Sequence, residues 1–204
     1  MIALRILVVA IVLSGTLGKM IYDRVIILRE GEIIVLETEP VDPRSLFRGD
    51  YVVLDYDINR LDLTRLEGDN EFEIGEPAYV ALTKQESFWQ ASSVHNEPPT
   101  VTGPDDVIIK GRVRRLVPMT RPCPSDEPAC ETDAARRMSR MLHIDYGIGS
   151  YFVPEGEGRR IEDAIRDPTD GVPVEIEVAV GDDGTAAIKA LLLDGERLYD
   201  EPLY

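Results

Sequence analysis

Between Arg5 and Lys19 the chain reads ILVVAIVLSGTLG, thirteen consecutive residues without a charge. Counted from Ile2 to Met20 the apolar stretch is 19 residues long. At ~1.5 Å of helical rise per residue it would nearly cross the ~30 Å hydrocarbon core of a bilayer. Arg5 and Lys19 stand close enough to its ends to reach the headgroups, and Tyr22 falls where an interfacial aromatic belongs. Three fates fit such a stretch: an uncleaved anchor, a cleaved secretory signal or a buried core helix. Thr16 and Gly18 meet the small-residue rule for cleavage only loosely, no Ala-x-Ala is present, and no cysteine follows as in a lipoprotein. The reading is therefore a transmembrane anchor over residues 1–24, followed by one domain over residues 25–204.

Charge bears on which side the domain occupies. The chain of 204 residues has 22 Lys plus Arg against 38 Asp plus Glu, a net charge of −16. Residues 1–24 hold Arg5, Lys19 and Arg24 but one acid, Asp23, so the acidic excess lies in the domain. Basic residues flank the span almost evenly, so loop charge alone gives no orientation. A short N-terminal tail and a large acidic domain favour the cell membrane with the domain on the extracytoplasmic side. A polyanion would be repelled, which argues against nucleic acid as a partner. Two histidines leave little material for metal or triad chemistry, and no cofactor is implied. Cys123 and Cys130 bracket PSDEPA. In an oxidising compartment two cysteines this close would readily bridge, the alternative being two unrelated free thiols.

Beyond residue 24, alternation dominates. Val172, Val174, Ile176, Val178 and Val180 keep period two, Gly181-Asp182-Asp183-Gly184 makes a turn, and Ala187 to Leu193 is apolar except for Lys189. This predicts a hairpin. Further strands are predicted at Glu32–Thr38, Tyr51–Ile58, Ala78–Thr83, Phe88–Ser93, Val107–Val117 and Leu142–Ile148, each bounded by Gly, Pro, Asp or Asn. Helical spacing is confined to Arg159–Asp167 and to short turns at Leu61–Glu67 and Thr132–Arg140. The expected fold is mainly β, barrel-like or a folded-over antiparallel sheet with one or two short helices, after the N-terminal transmembrane helix. Glu30–Gly31 follows the span directly, so no long linker intervenes.

The densest segment is PVDPRSLFRGDYVVLDY, residues 40–56. Asp42, Pro43 and the neighbouring proline make a rigid turn, and Gly49-Asp50 leads tightly into a strand. From Tyr51 the strand alternates, with Tyr51 and Val53 on one face and Val52, Leu54 and Tyr56 on the other. The Asp50 carboxylate suits a turn-fixing acceptor of backbone N–H bonds, and Arg44 or Arg48 could pair with it. Tyr51 and Tyr56 fall on opposite faces, so at least one should pack inward.

This segment resembles the bacterial family named for its G-D-Y-x-x-L-x-Y motif, which Gly49, Asp50, Tyr51, Leu54 and Tyr56 match throughout. The layout of span then domain is similar as well. The resemblance implies a membrane-anchored protein without an established activity. It also implies a partner, because such domains often accompany multi-pass membrane proteins. A fainter likeness is to type I signal peptidases, through Pro43, Leu46, Gly49-Asp50 and the strand after them, and through Tyr151-Phe152-Val153-Pro154-Glu155-Gly156. Pro40 stands where the nucleophilic serine should be, and Pro43 and Leu46 are one residue too far apart. Lys84 and Lys110, the candidate bases in the body, lack the K-R-V context. That likeness implies a related β scaffold without the reaction.

Other constellations are weaker. Lys110, Arg112 and Arg114 alternate, with Arg115 beside them, and could meet an anionic partner or lipid headgroups. The plainer reading is a solvated strand face balanced by acidic surroundings. Asp167, Asp170, Asp182 and Asp183 lack a D-x-D-x-D-G loop, so turn residues are expected rather than calcium ligands. His143 and Asp145 share a strand face and could serve a serine or Cys123, while His95 lies in a polar loop. Trp89, with Phe88, is expected in the core or at the membrane junction. Three functions follow. The first is a non-enzymatic, membrane-tethered interaction module for a multi-pass partner. The second is a hydrolase using a displaced serine such as Ser45, and the third a binder of envelope lipid or glycan.

Overall fold

The computed structural model describes residues 2–39, 51–85, 88–100, 103, 105–119, 139–152, 174–193 and 195–200. Helix α1 runs over Ile2–Glu30, six residues past the expected boundary. Val25-Ile26-Ile27-Leu28 contains no helix breaker, so nothing stops the helix before Gly31. Every side chain from Ile2 to Arg24 is exposed, Val25 to Ile27 are half-buried, and Leu28 is buried. α1 is thus long and apolar enough to cross a membrane once, with its last turns belonging to the domain.

A single residue separates α1 from strand β1, Glu32–Glu39. The Gly31 N–H donates to Ile27 O at 2.9 Å and closes the helix. A Cβ at position 31 would lie 2.4 Å from Ile27 O and 2.9 Å from Val180 O, so only glycine fits. Arg24 Nη1 donates to Ala186 O at 3.2 Å, a second tie between helix and sheet.

β1 buries Ile34, Leu36 and Thr38 and turns the intervening residues outward. One edge pairs with β11, Val174–Val180, and the Thr38–Glu39 end pairs with β3, Asp55–Tyr56. Beyond β11 lie β12, Ala186–Leu193, and β13, Glu196–Asp200, giving the order β13-β12-β11-β1-β3. A second sheet is ordered β4-β9-β8-β6-β7-β5. Its members are β4 (Arg60–Asp62), β5 (Glu67–Gly68), β6 (Pro77–Gln85), β7 (Phe88–His95), β8 (Asp106–Met119) and β9 (Ser139–Asp145). All its pairings are antiparallel except β5 with β7. β2, Tyr51–Val53, pairs separately with β10, Ser150–Phe152. One continuous core, including Ile34, Tyr56, Leu82, Ile109, Leu142 and Ile176, fills the space between the sheets.

The mainly β expectation holds, and so do the hairpin of β11 and β12 and the Trp89 core position, where the indole is buried. Three local readings are corrected. Leu61–Glu67 is no helical turn: Leu61 and Leu63 are buried at period two, with β4 running into a turn. The strand expected over Tyr51–Ile58 breaks at Leu54 into β2 and β3, then closes in a 3₁₀ turn at Asp57–Asn59. The strand expected over Leu142–Ile148 ends at Asp145, because Gly147 takes a φ of +75°. The stretch Arg159–Asp167 lies outside the described residues, as does Thr132–Arg140 up to Met138.

Replacing Gly31 by alanine forces a methyl group against two backbone oxygens. The expected loss is about 1–3 kcal/mol, typical of overpacking at a rigid site. Thermal melts of the detergent-solubilised full chain measure it, and an unchanged melting temperature would mean that the junction yields.

Candidate functional site

Of the motif, Leu54 and Tyr56 can be placed in detail, and both point inward at 3% and 1% exposure. The Leu54 N–H donates to Gly149 O at 3.0 Å, continuing the β2–β10 pairing by one bond. The Tyr56 hydroxyl donates to Ile148 O at 3.0 Å, and the Tyr146 hydroxyl donates to Ile58 O at 2.8 Å. Two segments, 56–58 and 146–148, therefore hold each other by reciprocal phenol-to-carbonyl bonds. Burial pushes both phenols well above their ordinary pKa, and the Asp55 charge adds to this at Tyr56. Neither ionises in the physiological range.

Asp55 secures the approach to this clasp. Its Oδ1 accepts from Asn59 Nδ2 at 2.6 Å and from the Tyr56 N–H at 3.2 Å, and its Oδ2 lies 3.0 Å from Arg60 Nη1. On the other side, Asp145 accepts the Gly147 N–H at 2.8 Å and two donors of Arg114. Burial raises the Asp145 pKa, but these bonds outweigh it and hold the carboxyl below its usual range. The Tyr146 ring lies over Gly111, where a Cβ would come within 2.2 Å of Ile144 Cγ2 and 2.8 Å of the ring.

Two clefts flank the Asp145–Gly147 corner. One, of about 410 Å³, runs past Asn59, Tyr146, Gly149 and Ser150. The other, of about 290 Å³, is bounded by Lys110, Arg112, Arg114 and Pro77. The basic alternation in β8 holds from Lys110 through Arg112 to Arg114, with Gly111 and Val113 buried between them. A bulge at Arg114 leaves Arg112 opposite Asp145 and Arg115 opposite His143, and it turns Arg114 and Arg115 outward together. His143 consequently stands between Arg115 on β8 and Arg60 on β4.

His143 and Asp145 do not form a dyad, because Asp145 is engaged by Arg114 and Gly147. Burial first, and then Arg115 and Arg60, lower the His143 pKa, with Asp55 acting in the opposite direction. His95 Nε2 lies 2.9 Å from Ser93 Oγ. Asp183 accepts the Thr185 N–H at 3.0 Å and the Thr185 hydroxyl at 2.8 Å, an Asx-type turn. Among the described residues there is no cluster of three metal-ligating side chains. Asp42, Pro43, Arg44, Ser45, Arg48, Gly49, Asp50, Cys123, Cys130, Asp167 and Asp170 lie outside the described residues, and Tyr51 is placed only as the first residue of β2.

The model of the GDYXXLXY protein family matches residues 13–191, most of the chain. The chain belongs to the GDYXXLXY family. Searches of curated proteins and of solved structures return no match, so the likeness to signal peptidases rests on the residues alone. Within the GDYXXLXY signature the leucine and the final tyrosine are core residues here, which makes this half of the motif a folding signature. Tyr146 and the Asp145–Gly147 corner escaped the sequence reading. The signal was present as Tyr-Gly-Ile-Gly, residues 146–149, where paired glycines end a strand rather than extend it.

Tyr56→Phe and Tyr146→Phe each take the donor from a buried carbonyl and should cost about 1–3 kcal/mol in denaturant or thermal unfolding. The His143 pKa lies below its unfolded value near 6.5. Its contribution to stability is therefore present above that pH and is lost as pH falls through the folded value. Arg115→Gln should raise the His143 pKa, read from imidazole resonances in a chain whose sole other histidine is His95.

Proposed function

We propose that this protein is a single-pass membrane protein whose β domain stands on the extracytoplasmic side. It works by contact with a multi-pass membrane partner rather than by catalysis. The observation that carries the reading is the junction at Gly31. α1 exposes apolar side chains along its first 23 residues and then enters the domain core at Leu28 without a linker. A domain held this rigidly is positioned relative to the bilayer, an arrangement suited to a partner in the same membrane. The reaction chemistry finds little footing among the described residues. The phenols are buried and un-ionised, and Asp145 is neutralised by Arg114.

The test has two arms. Photo-crosslinking residues placed at Val9 and Leu13, both exposed on α1, should yield an adduct with a multi-pass protein in intact cells. Membranes that give the uncrosslinked chain alone would overturn the partner. A cysteine at Ile74, 70% exposed, with Cys123 and Cys130 replaced by serine, reports the side. Labelling by an impermeant maleimide should need only outer-barrier permeabilisation. Labelling that requires disruption of the cell membrane would place the domain inside.

A further inference from the structure

The β11–β12 turn touches the helix and the basic strand at once. Gly181 sits against Ile27 of α1, and Gly184 O accepts the Lys110 N–H of β8 at 2.8 Å. Gly184 has a φ of +81°, and a Cβ there would lie 3.0 Å from Lys110 Cβ and 3.2 Å from Ile108 O. Lys110 is thus one tight turn away from α1. Ile27 lies five residues beyond Tyr22, or about 8 Å of helix. The headgroup layer on each side of a bilayer is about 5–8 Å deep. With Tyr22 at the edge of the hydrocarbon, the turn stands at the outer edge of the headgroup layer and Lys110 adjoins it.

The cleft that begins at Lys110 has the complementary charge. Its lining includes Lys110, Arg112 and Arg114 against one carboxylate, Asp145, in a chain whose net charge is −16. The cations are held in place and keep donors over. Lys110 Nζ lies 5.7 Å from the centre of the Tyr79 ring. Arg112 gives Nη1 to Gly75 O at 2.5 Å, and Arg114 gives Nε and Nη2 to Asp145, from five N–H donors on each guanidinium. Asp183, whose charge interacts with Lys110, is itself bonded to Thr185. The opposing charges at this level are Asp182 and Asp183 of the turn, Asp23 and Glu30 of α1, and Glu32 of β1, of which Asp23 is paired with Lys19.

We propose that the Lys110–Arg112–Arg114 cleft holds the phosphate of an anionic lipid headgroup from the leaflet at the C-terminal end of α1. This rests on the reading of α1 as a membrane span. The lipid phosphate enters between the Lys110 ammonium and the Arg112 guanidinium, and the acyl chains remain beside α1. The remaining surface, strongly acidic, repels the same leaflet, so the bound headgroup fixes which face of the domain lies against it.

The test uses the full chain, extracted in detergent and exchanged with phosphatidylglycerol or phosphatidylcholine, with retained lipid counted by native mass spectrometry. The wild type should retain one phosphatidylglycerol in preference to phosphatidylcholine. Lys110→Gln with Arg112→Gln should lose that preference by about thirtyfold, the equivalent of about 2 kcal/mol for two surface cations. Lys110→Arg with Arg112→Lys should keep it, which guards against a folding defect in the glutamine variant. Asp183→Asn should strengthen it. Equal retention of both lipids by the wild type, or an unchanged preference in the glutamine variant, overturns the proposal. So does a site that binds inorganic phosphate without selecting phosphatidylglycerol, since the source is then a free anion. Carbonate extraction separates the two readings: a chain released from membranes removes the anchor and this site together, whereas a retained chain without lipid preference removes the site alone.

Discussion

Between Glu30 and Glu32 there is room for one residue and no side chain. The backbone oxygens of Ile27 and Val180 close on Gly31 from both sides, so a helix and a strand meet with almost no freedom between them. That steric constraint fixes the direction in which β1 leaves α1. β1 then sets β11 on one edge and β3 on the other, and β3 leads through one 3₁₀ turn into β4 of the second sheet. The position of every later element relative to the helix axis traces back to this contact.

The reciprocal tyrosines play the corresponding role at the other crossing. Residues 54–58 link β2 through β3 to a 3₁₀ turn and residues 146–150 link β9 to β10, so both segments lie where regular ladders break. Backbone pairing alone would leave Ile58 O and Ile148 O buried at these breaks. The phenols supply the donors, at a net worth of about 1 kcal/mol each and a larger cost if withdrawn. A leucine and a tyrosine two apart, facing inward across the break between β2 and β3, thereby serve the fold.

Alternation in β6, β8 and much of β11, where one face is buried, and short apolar runs in β1 and β12 made the β class and most strand positions legible in the sequence. What could not be read were departures from the period. The bulge at Arg114 is one extra residue opposite β9, invisible until β9 is in place. Leu61, Leu63 and Leu66 fit a helical turn as well as a strand leading into a turn, and the pairing of Leu61 with Leu142 decides between them. The basic residues of β8 were visible as a row. That they bound a cleft depends on Gly147 turning the chain back and on Tyr146 lying over Gly111, both tertiary facts.

The pairing of β1 with β11 joins Glu32 to Val180, 148 positions apart in the chain. At a synthesis rate of about 5–20 residues per second, β1 emerges some 7–30 seconds before its partner exists. During that interval Ile33, Ile34, Val35 and Leu36 present an unpaired, β-prone edge, tethered by Gly31 to the long apolar helix. Long-range closure of this kind folds slowly and invites pairing with a neighbouring chain. The acidic excess of the chain, net charge −16, opposes such pairing by mutual repulsion. Assembly of this domain is therefore limited by the arrival of its C-terminal hairpin, and a truncation before residue 174 would leave the strand that follows α1 without its β11 ladder.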